Sequence, residues 1–202
     1  MPHRVFLLSP ASTAGKRCQQ LLAGDASFEL ALRLRHDRVS LGEVFSFLSA
    51  LYFRGKLTYA AKFAAPPPGC AGVHVITPDR GLAPPETALT LGDLRAFAKV
   101  PIDSAEERYA VPLREAASEL RARLPRGSEV VLLGSIATAK YVDVLLPLFA
   151  KSLLFPGDFV GRGDMSRGGL LLRAAREGVE LDYRPVDGAE RRGPRAAKIG
   201  AR

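Results

Sequence analysis

The chain has 202 residues, 47% of them hydrophobic and 25% charged, which is typical of one globular domain. Its formal net charge of +8 favours an anionic partner, either nucleic acid or a nucleotide-like anion. No apolar run reaches the ~18–20 residues of a membrane span, and Cys18 and Cys70 form no CxxC motif. The first residues, "MPHRVFLLSP", are expected to contain a buried strand rather than a secretory signal. We therefore expect a cytoplasmic protein with no membrane partner, metal site, cofactor or disulfide.

Apolar runs and helical periodicities alternate along the chain. Apolar runs that end at Pro or Gly predict strands, and apolar residues at helical spacing predict helices. In chain order the predicted elements are strand 4–9, helices 13–24, 27–35 and 40–64, strand 73–77, an irregular segment 78–89, helix 112–124, strand 128–134, helix 135–150, strand 152–156, helix 168–178 and strand 179–185.

Three residues set expected helix boundaries. Pro112 suits the first position of a helix, and Ser135 is the expected N-cap of the helix that follows strand 128–134. Gly55 interrupts segment 40–64, so this segment is either one long helix or two helices that meet there.

The alternation of strands and helices predicts βαβ units. We expect a single α/β domain over residues 1–188, with a mainly parallel sheet flanked by helices on both faces. Residues 189–202 form a basic C-terminal tail, in which 190–202 carries five basic residues and one acidic residue. The tail is predicted to be disordered, and it either adds weak nucleic-acid affinity or is simply solvated.

Polar segments follow the first three predicted strands: "SPASTAGKR", "TPDRGLAPPE" and "GSIATAK". The carboxyl ends of parallel strands share one edge of the sheet, where helix N-termini bind anions. We expect an anion site or nucleic-acid site there, with binding residues Ser12, Thr13, Arg17, Arg80, Ser135, Lys140, Arg162 and Ser166, and with Ser9, Lys16 and Arg167 as candidate catalytic residues.

Each of these residues also has a purely structural interpretation. Lys16 and Arg17 suit a solvated helix face, Ser135 suits a cap, and Asp79 with Arg80 suits an ion pair that holds the Pro-rich loop. "PASTAGKR" differs from a phosphate-binding P-loop at Pro10 and Arg17, which argues against an NTPase.

The segment "FVGRGDMSRGGLLLR" (159–173) combines charge with backbone freedom. Arg162 and Arg167 are suited to forked hydrogen bonds to an anion. Ser166 is expected to cap a helix that starts near residue 168 or to bind the same anion, and Asp164 to orient one arginine. The alternative is an ordinary polar entry to a helix.

The order of these motifs resembles the YaaA-type family of peroxide-stress proteins. The resemblance rests on "LLSPAST", "FRGKLTYAAKF", "TPDRGLAPPE", "LLGSIATAKY" and above all "GRGDMSR". It implies an α/β fold, a cytoplasmic location and DNA association linked to protection from oxidative damage. The chain departs from the family pattern at Ser12, where the family has Lys, and at Arg80, where it has Tyr.

Three functions are compatible with these observations. The first is a YaaA-like protein that associates with nucleic acid through a basic groove. The second is an enzyme that acts at the same site on a small nucleoside, nucleotide or phosphorylated metabolite. The third is an interaction protein without chemistry of its own, since a fold does not dictate a function.

Overall fold

A computed structural model describes residues 2–194 of the chain. The strands are β1 (Arg4–Leu8), β2 (Val39–Ser40), β3 (Val73–Ile76), β4 (Leu82–Ala83), β5 (Ala88–Leu89), β6 (Glu129–Leu133), β7 (Leu153–Pro156) and β8 (Tyr183–Pro185). The α-helices are α1 (Lys16–Leu22), α2 (Glu29–His36), α3 (Leu41–Phe63), α4 (Leu91–Phe97), α5 (Glu107–Arg123), α6 (Ala139–Phe149) and α7 (Asp164–Glu177).

The main sheet has the strand order β4-β3-β1-β6-β7-β8. The central pairs β3-β1, β1-β6 and β6-β7 are parallel, and the edge strands β4 and β8 pair antiparallel. A short second sheet joins β2 to β5. The predicted α/β fold with a mainly parallel sheet is therefore confirmed.

Helices cover both faces of the sheet because β1 alternates its apolar side chains between two cores. Phe6 and Leu8 point into the core that α1, α2, α3, α4 and α7 share. Val5 and Leu7 point into the opposite core, which α5 and α6 complete. All four side chains are fully buried, as expected for a central strand covered on both faces.

The carboxyl ends of β1 and β6 form the switch point of the sheet. The chain passes from β1 to β3 on one side and then returns across β1 to β6, so the crevice of a doubly wound fold lies between β1 and β6. Leu8 is in register with Leu133, and the Ser9 N–H donates to the Leu133 carbonyl at 3.2 Å. Gly134 follows in close contact with Ser9, since a methyl group there would lie 3.0 Å from the Ser9 Cβ.

Several predicted boundaries were wrong. Helix α5 begins at Glu107, so Pro112 lies inside it. Because proline has no N–H, the backbone carbonyl of exposed Arg108 lacks its helical hydrogen-bond donor. Helix α6 begins at Ala139 with Thr138 as the N-cap residue, so Ser135 is not the cap. Segment 78–89, expected to be irregular, contains the short strands β4 and β5, and α4, which follows at 91–97, was not predicted.

Helix α3 bends at Ala50 rather than at Gly55. Ala50 has φ 44° and ψ −115°, a conformation that is strained for a residue with a side chain. Gly55 instead allows α7 to approach closely, because a methyl group at this position would lie 2.8 Å from the Gly168 carbonyl oxygen. The two glycines bring the backbones of α3 and α7 into direct contact, which places the N-terminal end of α7 beside the second half of α3.

Part of the predicted tail packs on the domain. Arg191 lies 3.9 Å from the Asp143 carboxylate, measured from Nη1 to Oδ1, and Ala189 packs against the α5–α6 core. The rest of the predicted disordered tail, residues 195–202, lies outside the described residues. Between residues 2 and 194, none of the helices has the length and hydropathy that a membrane crossing needs.

The contact between α3 and α7 is testable at two adjacent glycines. In Gly168→Ala the new methyl group would lie 2.9 Å from the Leu51 carbonyl oxygen and the Tyr52 Cα. We expect the free energy of unfolding to fall by about 1–3 kcal/mol, because backbone atoms must shift. Gly169→Ala is the matched control: its methyl group meets nothing within 4 Å, and it should gain up to ~1 kcal/mol from helix propensity. Urea denaturation measures the free energy of unfolding of both variants. Equal changes in the two would contradict the close contact between α3 and α7.

Candidate functional site

The centre of the site is Lys56, on the second half of α3. Its side chain is fully buried. The Nζ donates to the Ser9 backbone carbonyl at 2.6 Å and to the Ser9 Oγ at 2.9 Å. Because Ser9 directly follows β1, these two bonds hold the amine of Lys56 at the switch point of the sheet.

Aromatic rings enclose the amine. The Lys56 Nζ lies 4.4 Å from the centre of the Tyr52 ring and 5.0 Å from that of Phe53, so both rings offer cation–π stabilisation. Burial nevertheless lowers the pKa of Lys56 to about 7; the Asp164 carboxylate acts to raise this pKa and the Arg167 guanidinium to lower it. Both the charged and the neutral amine are therefore populated near neutral pH.

Arg167 is the second buried cation of the site. It is 9% exposed, and its Nε and Nη2 donate to the Phe159 carbonyl at 3.2 and 3.0 Å. Its Nη1 lies 3.6 Å from the Asp164 carboxylate. Asp164, which was expected to orient an arginine of this segment, thus lies within ion-pair distance of Arg167. Arg167 is also close enough to Lys56 to affect its pKa.

Two buried tyrosines complete the cluster. Within the described residues, the Tyr52 Oη is buried and makes no hydrogen bond of ordinary geometry. Its pKa is raised, mainly by burial, and the neighbouring Arg167 works in the opposite direction. Burial also raises the pKa of Tyr141 to about 12, which its contact with Ser9 partly offsets. Both hydroxyls therefore stay protonated at neutral pH and are able to donate hydrogen bonds.

Arg162 and Ser166 form a contact of their own at the start of α7. The Arg162 guanidinium donates from Nη1 to the Ser166 Oγ at 3.3 Å and from Nε to the Asp158 carbonyl at 2.9 Å. The expectation that Ser166 caps a helix starting near residue 168 was wrong, because α7 begins at Asp164 with Gly163 at its N-cap position.

The predicted residues that follow β1 are mostly separate from this cluster. Ser12 and Lys16 are exposed, and within the described residues no hydrogen bond or ion pair links the Lys16 side chain to the site. The Thr13 Oγ1 donates to the Phe97 carbonyl at 3.3 Å, and Arg17 Nη1 donates to the Phe47 carbonyl at 2.9 Å. Of the two lysines, Lys56 rather than Lys16 reaches Ser9.

Arg80 has a structural role in the loop after β3. It forms ion pairs with Asp79 at 3.0 Å and Asp93 at 2.9 Å, and its guanidinium lies 4.7 Å from the centre of the Phe97 ring. This is the ion-pair alternative that the sequence left open, and it attaches the loop to α4.

The remaining predicted residues, Ser135 and Lys140, lie in or beyond the loop after β6. The Ser135 Oγ accepts from the Ala137 N–H at 3.3 Å, so it shapes the loop that leads to α6. The Lys140 side chain is exposed, while its backbone carbonyl accepts a 3.0 Å hydrogen bond from the Tyr109 hydroxyl.

Sequence reasoning did not single out Lys56, Tyr52 or Tyr141. Two signals were present. Lys56 lies four residues after Tyr52 and therefore on the same helix face, a position where a lysine among apolar residues needs a specific partner. In addition, "FRGKLTYAAKF" and "LLGSIATAKY", two of the segments that resemble the YaaA-type family, contain Lys56 and Tyr141.

Comparison with known proteins adds no assignment. A scan against protein-family models, a search of curated proteins and a search of solved structures each found no match to this chain. Within the described residues, no group of three or more His, Cys, Asp and Glu side chains is arranged to hold a metal ion. The chemistry of the site must be inferred from its own lysine, serine, arginine and tyrosines.

The burial of Lys56 predicts how stability depends on pH. The unfolded lysine keeps its proton up to its ordinary pKa of 10.5, whereas the folded one releases it near pH 7. The unfolded state thus binds more protons in this window, so the free energy of unfolding rises as the pH rises from 7 towards 10. Urea titrations at pH 7 and pH 9 should show a steeper rise in the wild type than in Lys56→Met.

Lys62→Met is the control for this measurement, since Lys62 is an exposed lysine on the same helix. It should keep the wild-type dependence on pH. Parallel curves for the wild type and Lys56→Met would contradict a lowered pKa at Lys56.

Proposed function

We propose that the chain is an enzyme that acts on a small anionic metabolite, of the nucleoside, nucleotide or phosphorylated class, with Lys56 at the centre of its active site. The observation that carries the proposal is the buried amine of Lys56, held against Ser9 at the switch point of a doubly wound sheet. Ligands of such folds bind at this crevice. Buried titratable groups with strongly shifted pKa values are concentrated at functional sites.

The burial of the polar side chains of the site favours a small ligand over a polymer. Lys56, Ser9 and Arg167 are 0%, 5% and 9% exposed. Small-molecule sites surround most of their ligand, with a few polar groups in an apolar lining. Tyr52 and Phe53 supply that lining on one side of Lys56.

The charges of the site favour an anion. Arg167 and Lys56 are both buried, and Asp164, the carboxylate nearest to Arg167, is exposed and therefore screened by solvent. A phosphate or carboxylate group of a substrate would give Arg167 a stronger partner. The Tyr52 hydroxyl is buried beside Arg167 and makes no hydrogen bond of ordinary geometry to any described residue, so it is available to donate to the same anionic group.

Nucleic-acid association is a second candidate, through a different surface. A groove of about 710 Å³ beside α4 is lined by exposed Arg95, Lys99 and Arg108. A second groove, of about 560 Å³, shares Arg95 and adds exposed Arg38. Each lining also contains one carboxylate, Asp79 in the first groove and Asp37 in the second, and the cations outnumber it. A cluster of exposed cations suits a phosphate backbone, and the resemblance to the YaaA-type family supports the same partner.

A thermal-shift screen tests the enzymatic proposal. Mononucleotides and sugar phosphates are added to the wild type, and at ~100 times its Kd a ligand contributes about 2.7 kcal/mol. For a chain of this size we expect a rise in Tm of about 5–10 °C. Arg167→Ala should abolish the shift, and Arg176→Ala, at an exposed position of α7, should retain it. A flat screen across both classes would count against the proposal.

DNA binding measured by fluorescence anisotropy tests the second candidate. The double variant Arg95→Ala/Lys99→Ala should weaken binding to duplex DNA and reduce the salt dependence of log K by about 2. The double variant Lys62→Ala/Arg176→Ala loses the same charge from exposed positions outside the groove and should bind like the wild type. Equal loss in both variants would mean that net charge, not this groove, determines the affinity.

A further inference from the structure

The Ser9 hydroxyl lies where a nucleophile would lie relative to its base. The Lys56 Nζ is 2.9 Å from the Ser9 Oγ, within the range for proton transfer between a nucleophile and a general base. The same Nζ is 2.6 Å from the Ser9 carbonyl oxygen, which fixes the direction of the amine. Serine–lysine pairs are an established variant of the catalytic triad, recognised by geometry rather than by sequence position.

Both contacts are compatible with a neutral amine. One N–H of a neutral Lys56 continues to donate to the Ser9 carbonyl, and the lone pair accepts from the Ser9 hydroxyl across the same 2.9 Å. The lowered pKa of Lys56 makes this form available near neutral pH. The charged groups that act on the amine are Asp164 and Arg167. The titratable side chains around it are Tyr52, whose ring faces the amine, and Tyr141, which contacts the same Ser9 side chain. Within the described residues, no carboxylate forms an ion pair with Lys56 that would keep it charged.

Tyr141 places a neutral hydroxyl beside Ser9. Its hydroxyl contacts the Ser9 side chain and remains protonated at neutral pH. A neutral hydroxyl beside the nucleophile is suited to the single oxygen that becomes negative when a carbonyl carbon is attacked. Arg167 is then left to hold a separate anionic group of the substrate. This division of roles favours an acyl centre over a phosphoryl centre.

We propose that Ser9 is a nucleophile and Lys56 its general base in the hydrolysis of an ester that carries a phosphate or carboxylate group. The inference rests on the proposed enzymatic function and specifies its reaction and substrate class.

Each step balances with water as the co-reactant. The Ser9 Oγ forms a bond to the ester carbonyl carbon while its proton passes to the Lys56 Nζ. The bond from carbon to the leaving oxygen then breaks, and Lys56 returns the proton to that oxygen, which releases an alcohol. Water attacks the acyl-serine in the same way, with Lys56 again taking and returning a proton. The products are a carboxylic acid and free Ser9.

Labelling with a fluorophosphonate tests this inference. The reagent forms a bond from the Ser9 Oγ to phosphorus and releases fluoride, and mass spectrometry of the digested protein locates the adduct. We expect an adduct on the Ser9 peptide of the wild type and none in Ser9→Ala. Labelling should slow by ~100-fold or more in Lys56→Met, the scale of a lost general base. Lys62→Met, on the same helix, should label like the wild type.

The pH profile of the wild type serves if Lys56→Met does not fold. The labelling rate should increase about tenfold per pH unit below the pKa of the base and level off above it. No adduct at Ser9, a rate independent of pH between 6 and 9, or equal rates in folded Lys56→Met and wild type would each overturn the inference. If anionic ligands still raise the Tm in that case, the enzymatic proposal stands and only the role of Ser9 fails. If anionic ligands do not raise the Tm either, both the enzymatic proposal and the role of Ser9 fail.

Discussion

The structure depends on one contact, the pair of hydrogen bonds from a fully buried lysine to Ser9. A buried amine loses its hydration, which is a large cost unless acceptors and aromatic faces replace it. Here the carbonyl and hydroxyl of Ser9 and the rings of Tyr52 and Phe53 do so. These groups replace the lost hydration only in part, because burial still lowers the pKa of Lys56. A site of this kind is preorganised, because the cost of burying the amine is met when the chain folds.

The backbone around this contact explains how Lys56 reaches the carboxyl edge of the sheet. Strand β1 ends at Leu8, so Ser9 emerges at the switch point. Helix α3 is bent at Ala50, in a strained conformation, and its second half lies against α7 through Gly55 and Gly168. Strained residues of this type are found where the surrounding structure enforces a functional geometry. The bend and the glycine contact together place Lys56 and the N-terminal end of α7 on the same crevice.

Two kinds of positive charge coexist in the molecule. Lys56 and Arg167 are enclosed, and an exposed carboxylate at Asp164 offsets them only in part. Arg95 and Lys99 are exposed along a groove beside α4. An enclosed pair of cations suits a small anion that replaces solvent completely, whereas an exposed cluster suits a polymer whose binding depends on salt. The two features correspond to the two proposed functions, catalysis on a small anion and association with nucleic acid.

The sequence by itself determined the α/β class, the mainly parallel sheet, the place of Ser9 at the carboxyl end of the first strand, and the association of Asp164 with an arginine of its own segment. These features can be predicted because they depend on local patterns: apolar runs, helical spacing and charged residues that are close together in the sequence. Only the tertiary structure decided that Lys56 rather than Lys16 reaches Ser9, that Arg80 is held by Asp79 and Asp93, and that α6 begins after Ser135. The reason is physical: the role of a charged side chain depends on its burial and its partners. The bond from Lys56 to Ser9 joins residues 47 positions apart, a distance over which local pattern carries no information.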